Sequence, residues 1–321
     1  MALSAGDSLD TDLKVHGFSV VSNALSVAEL HSLSADFESM RDGSRPPHPP
    51  RFVSPAPRQI VAPKLKALVE KISSPPRARV RSGIYQPAEQ TAKVGWRTGS
   101  IAFFSFPEYL NVWIPLPSGS AAIATISVVD PSVLSRESPE LAEIAEQNGS
   151  LRLVAGEGKL VAYDNFHRRY VELPRLDLDK LGVPLTLNWG DALIMRNDVL
   201  HRSHDEGGDG LAVSFCVVGA DTVMRRDHLL NMGASKFRQM AQLRARFLRE
   251  IAVFDIAQSD HLPLAEYDKL LAELIKREND ALQRLGGSQL DYDQFDDLVY
   301  ELTNDLLKAE VPKSPMQIKS G

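Results

Sequence analysis

Residues 189–203 read Trp-Gly-Asp-Ala-Leu-Ile-Met-Arg-Asn-Asp-Val-Leu-His-Arg-Ser, and after a gap rich in glycine and acid the chain resumes as Leu-Ala-Val-Ser-Phe-Cys-Val-Val over 211–218. Ala192–Met195 and Leu211–Val218 are short apolar runs bounded by Gly, Asp and Asn, the pattern of buried strands. Working outward, similar runs recur at Arg79–Tyr85, Ile101–Phe106, Leu110–Leu116, Ala122–Val129, Leu151–Val154, Leu160–Tyr163 and Leu185–Leu187. Many short strands without long helices between them predict an antiparallel sandwich or barrel rather than a doubly wound sheet. Ser138–Gln147 interrupts them as a helical insertion that ends at Asn148-Gly149.

The flanks differ from this β-rich centre. Gly17–Val21 reads as a short strand. Ser26-Val-Ala-Glu29 is a capping box that opens a helix, with Ala28, Leu30, Leu33 and Phe37 at helical spacing and an end before Asp42-Gly43. Pro46 to Pro63 holds seven prolines, which predicts a surface loop or a lid rather than a helix or central strand. Lys64–Ile72 reads as a short helix. Beyond residue 220 the pattern is helical. Phe237, Met240, Leu243, Phe247 and Ile251 form one stripe, and Leu264, Tyr267, Leu270, Leu271, Leu274 and Ile275 form another that Gly286-Gly287 ends. Asp291–Glu310 is acidic and amphipathic. Its Asp291-x-Asp293 start fails as a calcium loop, because Asp296 falls where glycine is needed and Leu302 where glutamate is needed. The expected division is therefore 1–220 and 221–321, with the C-terminal helices as a surface for homodimerisation.

Composition narrows the function. The 321 residues are 43% apolar and 24% charged, which excludes a wholly disordered or fibrous chain. With 36 Lys and Arg against 42 Asp and Glu, the formal net charge is −6, which argues against nucleic acid or a membrane surface as partner. Cys216 is the only cysteine, so neither a disulfide framework nor a multi-cysteine metal site is possible, and its apolar strand predicts an inert core thiol. No apolar run approaches the ~20 residues of a membrane span. The N-terminus lacks a basic start followed by an apolar core, and a cytoplasmic location is expected.

Taken in order, Gly17–Val21 with its helix, Leu110-Asn-Val-Trp-Ile-Pro-Leu116, and Gly190-Asp-Ala-Leu-Ile-Met195 leading to Leu200-His-Arg-Ser203 resemble the phytanoyl-CoA dioxygenase-like family of Fe(II)/2-oxoglutarate-dependent oxygenases. The resemblance spans roughly Asp12–Val218. It implies a double-stranded β-helix, a jelly-roll or cupin-like barrel, here with N-terminal helices and an all-helical C-terminal extension. It also implies Fe(II) and 2-oxoglutarate as cofactors, with iron held by a His-x-Asp or His-x-Glu pair and a later His.

The later His is present as His201. The pair is not: Trp96-Arg97-Thr98-Gly99 places Arg97 where the first His belongs and Gly99 where the carboxylate belongs. Halogenating relatives also lose the carboxylate but keep that His. A guanidinium ~4 Å from Fe(II) is repelled by about 8 kcal/mol at an effective dielectric of ~20. It stays protonated and cannot become a ligand. The arginine that grips 2-oxoglutarate in the family has no counterpart in Asp209-Gly-Leu-Ala-Val213. A relocated metal could draw on His201 and His204, on Asp205, Glu206 and Asp209, or on Asp164 and His167. A nucleophilic Ser203 beside His201 lacks the strand-to-helix elbow such serines sit on.

The residues favour a different use of the site. Arg97 is expected to point into a barrel mouth lined by Tyr85, Trp96, Asn111 and Trp113, where it would bind a carboxylate or phosphate; its bland alternative is a salt bridge to a neighbouring acid. His201 would serve as general acid or base near neutrality. The expected function is a small-molecule-tailoring, hydroxylase-like enzyme with an altered iron site, oxygenating or catalysing a non-redox isomerisation, cyclisation or elimination. The alternative is a catalytically retired, metal-free binding or scaffold protein of the same fold.

Overall fold

A computed structural model describes residues 8–42, 52–53, 55–69, 79–87, 95–99, 109–117, 123–148, 152–156, 159–164, 169–174, 176–203, 210–230 and 244–284. The expected elements at Ile101–Phe106, Phe237–Leu243 and Asp291–Glu310, and the candidate ligands His167, His204, Asp205, Glu206 and Asp209, lie outside these residues. The chain divides into two compact units, Met1–Thr222 and Val223–Gly321.

The first unit is mixed α/β with several antiparallel sheets. In chain order its elements are α1 (Ser8–Val15), β1 (Phe18–Val21), α2 (Val27–Asp42), β2 (Phe52–Val53), α3 (Pro55–Val69), β3 (Arg79–Pro87), β4 (Leu110–Leu116) and β5 (Ile123–Val129). These are followed by α4 (Pro131–Glu137), α5 (Pro139–Asn148), β6 (Arg152–Gly156), β7 (Lys159–Asp164), β8 (Arg169–Pro174), α6 (Leu178–Leu181), β9 (Val183–Asn188), β10 (Ala192–Arg196), β11 (Leu200–Ser203) and β12 (Leu211–Val218). A six-stranded sheet has the order β1-β10-β4-β12-β3-β2, and a three-stranded sheet has the order β11-β5-β9. Strands β6, β7 and β8 form a further antiparallel sheet.

Alternation along the strands sorts side chains into three layers. Leu110, Val112, Ile114 and Leu116 of β4 pack with Leu9, Leu13, Leu30, Leu33, Phe37, Val61 and Leu65, so α1, α2 and α3 cover the outer face of the large sheet. The intervening Trp113 instead joins Leu193 and Met195 of β10, Ala212 of β12, Ile126 and Val128 of β5, and Leu187 of β9. That cluster draws on both sheets, which therefore pack face to face. On the far side of the small sheet, Trp96, Val129 and Leu200 are covered by Leu134, Leu141 and Ile144 from α4 and α5, by Leu178 of α6, and by Ala162, Val171 and Leu173 of β7 and β8.

Local sequence explains the lead-in. Glu29 reaches back to the Ser26 amide at 2.8 Å, as the capping box predicts, but the Ser26 hydroxyl donates to the same carboxylate at 2.6 Å. Lys64 of α3 donates to it as well, at 2.5 Å. The proline-rich stretch corrects the loop expectation, since α3 begins at Pro55 and runs through Pro63. Pro55 and Pro57 occupy the first turn, where amides have no intrahelical acceptor to lose. Buried Val61 and Leu65 anchor the rest despite the missing Pro63 donor.

The second unit contains a ribbon of β13 (Val223–Arg225) and β14 (His261–Pro263), with α7 (Arg226–His228), α8 (Arg244–Ala257) and α9 (Leu264–Arg284). Phe254 and Tyr267 meet with ring centroids 5.8 Å apart, and buried Arg249 donates to Glu278 at 2.8 Å. No described helix is long and apolar enough to cross a membrane.

Candidate functional site: the inward-facing Arg97–His201 pair

The two residues with the most chemistry, Arg97 and His201, are 104 positions apart in sequence and adjacent in space. The Arg97 amide donates to the His201 carbonyl at 3.0 Å, and the His201 amide donates to the Arg97 carbonyl at 2.8 Å. Residues that exchange both backbone bonds lie directly opposite each other, with side chains on the same face and Cβ atoms about 5.5 Å apart. His201 also sits opposite Val128, whose side chain belongs to the core between the sheets. Val128, His201 and Arg97 therefore form one inward-facing row across the small sheet.

His201 is 5% exposed. Its Nδ1 lies 3.0 Å from the Val199 carbonyl oxygen. Burial first, and then the Arg97 charge, hold its pKa down at about 3, with the Val199 bond acting the other way. The expected titration near neutrality is therefore shifted down, because burial beside a guanidinium favours the neutral ring.

The large sheet faces this row with Asn111 and Trp113. The Ser214 hydroxyl donates to Asn111 Oδ1 at 2.8 Å, and both residues are buried. Ser214 lies opposite Trp113 and Cys216 opposite Asn111, so all four share the inward face. Ser214 was not among the expected site residues. Its signal was one hydroxyl at an inward position of an otherwise apolar strand, which only the register distinguishes from a polar accident. Cys216 is buried, as its strand predicts.

Two expected lining residues point elsewhere. Trp96, in a bend beside the bridged Arg97, takes the opposite side of the small sheet. Its ring is buried on the outer side of the small sheet, its Nε1 donates to Asp179 at 2.8 Å, and Arg202 stacks over it at 5.3 Å while bonding the same carboxylate at 2.8 Å. Tyr85 pairs with Val213, whose side chain faces the helices. Its hydroxyl donates to the Leu33 carbonyl at 2.9 Å and Asp36 at 2.8 Å, and burial, with Asp36 beside it, raises its pKa above the usual tyrosine range. Neither residue lines the interior.

Among the described residues no group of three or more His, Cys, Asp and Glu is placed to hold a metal ion. Gly99 is buried with φ of +43°, a left-handed conformation that asparagine and aspartate tolerate better than other side chains.

No protein-family model and no curated protein matches the chain. Among solved structures, it is similar to the non-heme alpha-ketoglutarate-dependent epimerase SnoN from nogalamycin biosynthesis, with 14% identity over 69% of this chain and 85% of that one and a TM-score of 0.44. It is similar to HygX from Streptomyces hygroscopicus, a structure with nickel and 2-oxoglutarate bound, with 16% identity over 68% and 88% and a TM-score of 0.43. The carbocyclase SnoK, also from nogalamycin biosynthesis, aligns with 14% identity over 70% and 90% and a TM-score of 0.44. At these scores the site's own geometry, not the likeness, carries the functional reading.

Proposed function

We propose that this chain is a divergent relative of the Fe(II)/2-oxoglutarate oxygenases, a small-molecule-tailoring protein whose former metal face binds an anionic metabolite through Arg97. The observation that carries this reading is the direct pairing of Arg97 with His201 on the inward face. The jelly-roll reading is supported by strand order: β3-β12-β4-β10 in one sheet faces β11-β5-β9 in the other, with Arg97 bridging to β11.

The Fe(II) and 2-oxoglutarate implied by the resemblance do not fit the residues on this face. A facial triad needs three donors. Here a guanidinium, which has no lone pair to give, stands directly opposite the His201 imidazole, and Gly99 has no side-chain donor atom. The same guanidinium suits a carboxylate or phosphate by paired hydrogen bonds. Arg97 would then anchor and orient the substrate, with Asn111 and Trp113 packing against it, and the reaction would be a non-redox step.

A second reading is favoured by one observation. An imidazole with a pKa of about 3 is poorly matched to proton transfer at neutral pH. The retired, metal-free binding protein needs no such transfer. Association through the C-terminal helices would suit either reading, and is supported by Leu248 and Ile256 of α8, two turns apart and 51% and 49% exposed.

The test is an anaerobic Fe(II) titration of the stripped protein with and without 2-oxoglutarate, read by elemental analysis and charge-transfer absorbance. We expect no stoichiometric iron and no band. Tight iron at one equivalent with the band would mean that ligands are assembled elsewhere, and would overturn the assignment of Arg97.

A further inference from the structure

Helices α8 and α9 form an antiparallel pair. Phe254 meets Tyr267 and Arg249 meets Glu278, so the α9 number rises as the α8 number falls. Followed to its end at Arg284, α9 therefore finishes beside the start of α8 at Arg244. On α8, Arg249, Glu250, Val253 and Phe254 are buried, whereas Leu248 and Ile256 are exposed. Leu248, Ala252 and Ile256 stand at i, i+4 and i+8, an apolar stripe beside the buried face. The approach to this stripe is basic in sequence. Residues 229–249 hold Lys236, Arg238, Arg244, Arg246 and Arg249 and no Asp or Glu, and of these Arg249 is balanced by Glu278.

An apolar stripe next to a basic block suits an acidic amphipathic segment, and this chain carries one. Asp291–Glu310 holds seven Asp and Glu against Lys308, with Phe295, Leu298, Val299, Leu302 and Leu306 at helical spacing. Residues 285–290 separate it from the end of α9, enough chain to span about 20 Å, and Gly286-Gly287 lies among them. So short a tether sets an effective concentration on the order of mM, and at micromolar protein the chain's own segment outcompetes a second copy. We propose that Asp291–Glu310 docks as a helix on the Leu248–Ile256 stripe of its own α8, with its acids beside the basic block. Its direction follows from where α9 ends. A segment that turns back at Gly286-Gly287 starts at the Arg244 end and runs parallel to α8, which brings Phe295 near Leu248 and Leu302 near Ile256. The same stripe is the surface offered above for self-association, so the docked segment is a cover that a second copy must displace. That last step rests on the association reading; the docking does not.

The experiment is disulfide trapping in the full chain, whose one native thiol, Cys216, is buried. Leu248→Cys is combined with Phe295→Cys or with Leu306→Cys, and Ile256→Cys with Leu302→Cys serves as a second pair. Each variant is oxidised mildly and its mass read without reductant. A bridge needs Cα atoms within about 7 Å. Leu248→Cys should therefore link to Phe295→Cys but not to Leu306→Cys, about 16 Å further along a helix. The linked species should have the mass of one chain. Its yield should fall severalfold in 1 M salt, where the screening length is about 3 Å. No link from either expected pair would overturn the docking. A link at twice the chain mass would overturn it in favour of a second copy, and a link from Leu306→Cys alone would overturn the direction. For the cover, Leu298→Glu with Leu302→Glu should unseat the segment and raise the dimer fraction in sedimentation severalfold. Single-chain links in the cysteine variants, with no dimer from the unseated variant at any concentration, would overturn the association reading and leave the docking standing.

Discussion

Arg97 and Trp96 show what one residue of chain direction does to a site. They are neighbours in sequence, and both were expected in the same mouth. The chain bends at Trp96, so Arg97 pairs with His201 while the Trp96 ring seals the outer layer through Asp179 and Arg202. That a guanidinium is no metal ligand follows from residue type alone, whatever the backbone. Which face each neighbour takes does not, since it depends on the pairing of Arg97 with a residue 104 positions away. His201 gives a prediction of its own. The unfolded chain protonates it near pH 6.5, whereas the folded chain resists until about pH 3. Between those values the unfolded state binds more protons, so stability falls as pH drops. The slope is at most about 1.4 kcal/mol per pH unit, or roughly 2 kcal/mol between pH 6.5 and 5. Urea unfolding at pH 7 and pH 5 should show this loss, and His201→Phe should remove it. An unchanged pH dependence in the variant would show that the imidazole is not held neutral.

Turns and caps fix the elements that carry these residues. Gly190, between β9 and β10, has φ of +86°, and a Cβ there would lie 2.9 Å from the Leu25 carbonyl oxygen. Next to it buried Asp191 accepts from the Asn23 and Asn188 amides, each at 2.9 Å, and so fastens the N-terminal segment to the β9–β10 turn. Gly190→Ala is expected to cost about 1–3 kcal/mol in chemical denaturation, from strain together with the backbone contact. At the start of α2, Lys64 and then Ser26 hold the Glu29 carboxyl at a pKa of about 2. Its stabilisation is present above the ordinary carboxylate pKa and is lost as pH falls towards 2. The partners are partly exposed, so Glu29→Gln should cost only about 0.5–1 kcal/mol at pH 7, and less at pH 3. The strands at Leu110–Leu116 and Leu211–Val218 were legible to the residue because they are apolar runs with clear ends. Strand β11 was not, because Leu-His-Arg-Ser has no apolar run and pairs only through its neighbours. Helix α3 was hidden by prolines whose position in the first turn, rather than whose number, decides what they permit.

At the scale of the molecule, two sheets bring four sequence-distant segments to one inward face: Arg97, Asn111 with Trp113, His201, and Ser214. The β-rich centre and helical flanks followed from the spacing of apolar runs. The interior of the site did not, because Tyr85 and Trp113 differ only in which side of one sheet they occupy. If α8 mediates self-association, sedimentation should give twice the 35.4 kDa chain mass, and Leu248→Glu with Ile256→Glu should return the monomer. A monomer at all concentrations would count against that surface. The central proposal is that Arg97 stands where a metal ligand of the Fe(II)/2-oxoglutarate oxygenases would, opposite His201, whose Nδ1 is held by the Val199 carbonyl. The most direct measurement is therefore equilibrium Fe(II) binding, by elemental analysis after anaerobic dialysis, of the natural chain beside Arg97→His/Gly99→Asp. The account predicts no stoichiometric iron in the natural chain and about one equivalent in the double variant. Stoichiometric iron in the natural chain, or none in a folded double variant, would contradict it.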